Sequence, residues 1–141
     1  MRYLLAFITL LGLIVSGLAL REHYRESGDS PCSINEKWDC GIVNHSPFAV
    51  LFGIPVAALG MAGYLAMGGL ALRRSYALLL AFALVGLGYS LYLAHIEAHV
   101  LGVWCVYCVI SLGLISLLTL LTFGTILISR ARDGRAAASN P

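Results

Sequence analysis

Charged residues are scarce in this sequence. Asp, Glu, Lys and Arg make up only 11% of its 141 residues, whereas a soluble domain carries roughly 25%. Hydrophobic residues make up 60%, and the mean hydropathy is +0.87. This composition excludes an ordinary soluble domain and indicates a membrane protein of one domain, for which we expect no nucleic-acid partner.

The charges are also bunched, so that four long stretches carry none. These stretches are 3–20, 48–72, 76–94 and 100–128. A bilayer core about 30 Å thick needs roughly 20 apolar residues of helix, so each stretch is a candidate span. The first could instead be a cleaved signal peptide, but its 18 residues exceed the usual apolar core of roughly 7–15 residues. We interpret it as a retained helix.

The predicted fold is therefore an all-α integral membrane protein with a bundle of four transmembrane helices. The predicted domain covers residues 1–129, and a short, polar, disordered cytoplasmic tail covers residues 130–141. A cysteine-bearing extracytoplasmic loop or short helix connects the first two helices. The predicted segments are a helix at about 3–20, the outer loop at 21–47, and helices at about 48–72, 76–94 and 103–128. Pro55 is expected to kink the second helix near its outer end and to open a pocket between helices.

The positions of Lys and Arg predict the orientation. Six of the nine basic residues fall at the two ends of the chain and in the turn between the second and third helices. They are Arg2, Arg73, Arg74, Arg130, Arg132 and Arg135. The positive-inside rule then puts both termini in the cytoplasm. All four cysteines and all four histidines fall on the opposite side, where disulfides form and persist.

Cys105 and Cys108 form a C-x-x-C pair where the last helix begins. Adjacent helical turns bring such Cα atoms to roughly 5–6 Å, a distance that a disulfide can bridge. A bridge between them would close almost no loop, so it would stabilise little. The start of a helix also favours a thiolate, which promotes thiol–disulfide exchange. We therefore interpret the pair as a redox centre.

Cys32 and Cys40 lie in the long outer connection. On a continuous helix they would be about 12 Å apart, too far for a bridge. They can pair if the chain folds back between them, or each can pair with other cysteines at different times. Exchange of partners suits a relay of electrons from a soluble protein to the membrane-edge pair. One ordinary extracellular disulfide remains the alternative.

Electrons that reach Cys105 and Cys108 need an acceptor, and the sequence carries no haem or flavin motif. A lipid-soluble acceptor of two electrons fits a cysteine pair at the edge of the membrane. We therefore expect a quinone as substrate, with no haem, flavin or metal.

The ordered motifs resemble the vitamin K epoxide reductase family and its microbial homologues. The chain has a loop pair C-x7-C, Ser46 six residues after the second cysteine, and C-x-x-C at the start of the last helix. The stretches SPFAVLFGIPVAALGMAGY and WCVYC look particularly like the microbial members, and the resemblance covers roughly residues 5–128. This family couples disulfide formation to quinone reduction.

The resemblance implies a role for each motif residue. Cys32 would exchange with a thioredoxin-fold partner, Cys40 would pass electrons to Cys105, and Cys108 would be the thiolate that reduces the quinone. Ser46 would hold the carbonyl end of the quinone or the loop above it, where a hydroxyl donor suits the charge that develops on oxygen.

Two departures limit the resemblance. Animal members carry a tyrosine four residues after the second C-x-x-C cysteine, and this chain has Leu112 there, so the match does not support epoxide turnover or inhibition by coumarins. Some microbial members carry a fused thioredoxin-like domain, whereas this chain stops soon after the last helix. The expected partner is therefore a separate thioredoxin-fold protein. The composition favours a bacterial inner membrane with a periplasmic site, and a eukaryotic protein would present the site to the ER lumen.

Two other classes of function compete with this interpretation. His95 and His99, followed by Cys105 and Cys108, have the ligand types of a zinc site, which would leave the loop cysteines unexplained. We instead interpret His95, Glu97 and His99 as a polar turn at the membrane interface. A scaffold or small transporter is the third class, and it is disfavoured because no charge falls within the predicted spans.

Overall fold

The computed structural model describes residues 1–24, 38, 47 and 50–139 of the chain. Helices dominate these residues, with one short β-hairpin between the first two. The elements are α1 (Arg2–Tyr24), β1 (Val50–Leu51), β2 (Ile54–Pro55), α2 (Val56–Leu72), α3 (Tyr76–Ile96), a π-helical turn (Glu97–Leu101) and α4 (Val106–Ser139).

Three helical segments are long and apolar enough to cross a membrane. They are α1, α3 together with the π-helical turn, and α4, whereas α2 is a shorter apolar helix of 17 residues. The prediction of a helical membrane protein is thus confirmed, and the count of four spans remains a prediction.

The predicted start of the second helix is wrong. Residues 50–55 form the hairpin, in which Val50 pairs with Pro55 and Leu51 with Ile54. Phe52 and Gly53 connect the strands with φ of 53° and 81°, as a two-residue hairpin turn requires. Pro55 precedes α2 with φ of −58° instead of kinking it. A proline suits this place because it fixes φ near the helical value and has no N–H to leave unpaired.

The two later helices run further than predicted. α3 continues through the π-helical turn to Leu101, where Gly102 ends it in the left-handed conformation with φ of 69°. Glu97 therefore lies within a helical segment instead of in a connecting loop. α4 begins at Val106 and reaches Ser139, so residues 130–139 are helical where a disordered tail was predicted.

Small residues let α1 and α2 pack closely. Along this contact, Thr9 faces Gly68, Gly12 faces the ring of Tyr64, and Ser16 faces Gly60. Small side chains at such positions allow two backbones to approach in a membrane bundle. α4 packs against α3 and α1. The buried cluster formed by the four helices consists of Leu5, Ile8, Tyr64, Met67, Ala71, Leu79, Ala83, Ile115 and Leu118.

Candidate active site

Cys105 and Cys108 lie at the start of α4, at one end of the bundle. Cys105 directly precedes the helix, and its carbonyl accepts the N–H of Val109 at 3.0 Å. Cys105 is completely buried, whereas Cys108 is half-buried. Both are thiols, and their side chains hydrogen-bond each other. The structure thus brings together the two cysteines of the predicted redox pair.

The surroundings of Cys105 favour its thiolate. The hydrogen bond from the Cys108 thiol lowers the pKa of the Cys105 thiol below its ordinary value. The backbone N–H groups of Cys108 and Tyr107 lower this pKa further, whereas burial and the negative charge of Glu97 raise it. The N–H groups at the start of α4 thus contribute to the lowered pKa, as predicted for a helix start, but the neighbouring thiol is the larger cause.

Glu97 lies beside this pair and was not predicted as a site residue. Its side chain is only 2% exposed, so the interpretation as a polar turn at the interface is wrong for this residue. One carboxyl oxygen, Oε2, accepts the backbone N–H of Cys105 at 3.1 Å, and the Cys108 thiol lies against the same carboxyl group. The other oxygen, Oε1, makes no hydrogen bond to the described residues.

A cavity of about 380 Å³ extends from these residues into the bundle. Its volume falls within the roughly 300–1,000 Å³ of small-molecule sites. Cys108 and Glu97 line it together, and all four helices contribute apolar walls, including Val15, Met67, Phe82 and Ile115. The pocket that was predicted between helices is therefore present, without the kink that was expected to open it.

Tyr64 and Ser111 form a polar contact in this cavity. The Tyr64 hydroxyl lies 2.9 Å from the Ser111 Oγ and also donates to the Ser111 carbonyl at 3.2 Å. The other hydroxyls of α4 at Ser116, Thr119, Thr122 and Thr125 donate to carbonyls four residues earlier. Ser111 therefore differs from its neighbours, and the sequence carries no signal for this difference.

Trp38 lies against Trp104, the residue before the redox pair. It forms a parallel β-bridge with Trp104, and the two indole rings lie 6.4 Å apart between centroids. Trp104 immediately precedes Cys105, and Trp38 precedes Cys40 by two residues. Cys32, Cys40 and Ser46 themselves lie outside the described residues, so their predicted roles remain predictions.

The competing zinc ligands do not form a metal site among the described residues. His95 and His99 are exposed, with ring centroids 4.7 Å apart, whereas Cys105 is buried. Across residues 1–24 and 50–139, no group of three or more His, Cys, Asp or Glu side chains is arranged to hold a metal ion.

A model of the vitamin K epoxide reductase family matches residues 3–123. The chain belongs to this family. The resemblance drawn from the motif order is thus confirmed, and the protein is a membrane oxidoreductase of a family that generally uses quinones as electron partners. No individual curated protein matches the chain.

Proposed function

We propose that this protein is a quinone-dependent thiol oxidoreductase that generates protein disulfides. Electrons pass from a separate thioredoxin-fold protein to Cys32 and Cys40, then to Cys105 and Cys108, and finally to a quinone of the vitamin K, menaquinone or ubiquinone type. The observation that carries this proposal is that Cys108 of the thiol pair lines an apolar cavity within a membrane bundle.

The two cysteines differ in access, which supports a division of labour. Cys108 faces the cavity, where a quinone ring would be held by apolar contacts. Cys105 is buried next to Trp104, which forms a β-bridge with Trp38, two residues before Cys40 in the sequence. Cys105 would exchange with Cys40, and Cys108 would react with the quinone. Ser46 would position the quinone or the loop above it.

The direction of the relay fits an oxidising compartment. Six of the nine basic residues lie at the end of the bundle opposite to Cys105, since they occur where α1 begins, between α2 and α3, and near the end of α4. By the positive-inside rule the thiol pair then faces away from the cytoplasm, towards the bacterial periplasm. Proteins that receive disulfides are found there.

Substitution of the thiol pair tests this function. Cys105→Ala and Cys108→Ala should each abolish reduction of a short-chain quinone by dithiothreitol, because a single thiol cannot form the pair's disulfide. The rate is measured by quinone absorbance with the purified full chain in detergent. Cys40→Ala is the matched control and should keep dithiothreitol-driven turnover while losing oxidation of a thioredoxin-fold donor. Turnover retained in both variants of the pair would exclude the mechanism.

A further inference from the structure

Glu97 is buried among apolar helices beside the redox pair. A carboxyl group in such a place is costly and usually marks function. One oxygen of Glu97, Oε2, accepts the N–H of Cys105. The other, Oε1, makes no hydrogen bond to the described residues, so the carboxylate can bind a proton there. The residue also lines the cavity together with Cys108. These contacts place a proton-binding group beside the reacting sulfur, in the wall of the substrate cavity.

Cys108 needs such a group because it must lose a proton to react. The thiolate is the reactive form, and the Cys108 thiol hydrogen-bonds both the Cys105 side chain and the Glu97 carboxyl group. The other titratable side chains that line the cavity are Tyr64, Tyr89 and Tyr107, and none of its described lining residues is Lys or Arg. Among carboxyl, thiol and phenol groups, a carboxylate is the ready proton acceptor at neutral pH.

We propose that Glu97 carries protons from the thiol pair to the quinone, an inference that rests on the proposed function. Oxidation of the two thiols to the Cys105–Cys108 disulfide releases two electrons and two protons, and the quinone takes up both pairs to become a quinol. The Glu97 carboxylate accepts the proton of Cys108 and gives it to a quinone oxygen. The same carboxylate then transfers the second proton to the other quinone oxygen.

Glu97→Gln tests this role, because the amide keeps the size of the side chain and an oxygen for the Cys105 N–H but cannot carry a proton. In the dithiothreitol assay, kcat should fall roughly a hundredfold or more, the usual contribution of a positioned acid or base, with little change in the KM for the quinone. The residual rate should rise about tenfold per pH unit between pH 7 and 9, because hydroxide then replaces the carboxylate. The wild-type rate should not show this slope.

Three results would overturn or separate the proposals. Equal rates and equal pH profiles for Glu97→Gln and the wild type would exclude the proton role, while loss of turnover in Cys108→Ala would leave the proposed function standing. A wild-type protein that reduces no quinone would overturn both. If the Glu97→Gln variant does not fold, the rate of Glu97→Asp tests the proton role instead. A shortened acid should be faster than the amide if proton transfer matters, and no faster if the side chain only holds the Cys105 N–H.

Discussion

At the scale of single residues, Gly12 determines whether Tyr64 can occupy its place in the cavity. The Tyr64 ring lies directly against Gly12, at the position that a Cβ would take. Gly12→Ala should therefore displace the ring, break its contact with Ser111 and lower the free energy of unfolding by about 1–3 kcal/mol, as overpacking does. Thermal unfolding in detergent measures the loss of stability, and the KM for the quinone reports the changed cavity.

Gly17→Ala is the matched control on the same helix. A Cβ there would lie 3.8 Å from the Met61 side chain, an ordinary contact, and alanine is the better helix former. This variant should be as stable as the wild type or more so. Equal stability of the Gly12 and Gly17 variants would show that the Tyr64 ring can move away from residue 12 at little cost, so that Gly12 does not determine the shape of the cavity.

Among the site residues, the sequence predicted the cysteine pair but not Glu97. The spacing of Cys105 and Cys108 is a local property, because adjacent helical turns bring the two together in any context. Glu97 lies between two histidines in HIEAH, which has the composition of an exposed turn. Its burial depends on α4 packing against α3, and no local pattern encodes that contact. A single acidic residue close before a C-x-x-C pair was the one available signal.

At the scale of elements, the π-helical turn and Gly102 position Glu97 against Cys105. Gly102 has φ of 69°, and a Cβ added there would meet no atom within 4 Å, so a substitution tests the backbone alone. Gly102→Ala should cost about 1–2 kcal/mol of stability and slow quinone reduction, because relief of the strain moves Cys105 relative to Glu97. Thermal unfolding and the dithiothreitol assay measure the two effects.

Asparagine tolerates this conformation better than alanine does, so Gly102→Asn should retain more stability and more activity than Gly102→Ala. Gly88→Ala, also with open space around the added Cβ but inside α3, should leave both quantities unchanged or improved. The same low activity in the alanine and asparagine variants would argue that the left-handed conformation is not what positions the site.

Charge-free stretches predicted the helices but not their ends. Hydropathy records where apolar residues occur, and residues 50–55 are as apolar as α2 itself. The hairpin forms instead because Phe52 and Gly53 adopt positive φ and Pro55 lacks the N–H that an interior helical residue donates. At the other end of the bundle, Arg130 and the residues after it ended the predicted span, yet charge does not prevent a helix from continuing beyond the membrane.

At the scale of the whole molecule, the proposed relay depends on which side of the membrane the redox end of the bundle faces. The hairpin tip and the end of α4 mark opposite ends of the bundle, and the side chains of Phe52 and Ala137 are both exposed there. In a variant whose native cysteines are all replaced by serine, Phe52→Cys should react with a membrane-impermeant maleimide on intact bacterial cells with a permeable outer membrane. Ala137→Cys should react only after the inner membrane is opened, because the positive-inside rule assigns the arginines near it to the cytoplasm. The reverse pattern would put the thiol pair in the reducing cytoplasm, where protein disulfides do not persist. That result would contradict the proposed generation of protein disulfides.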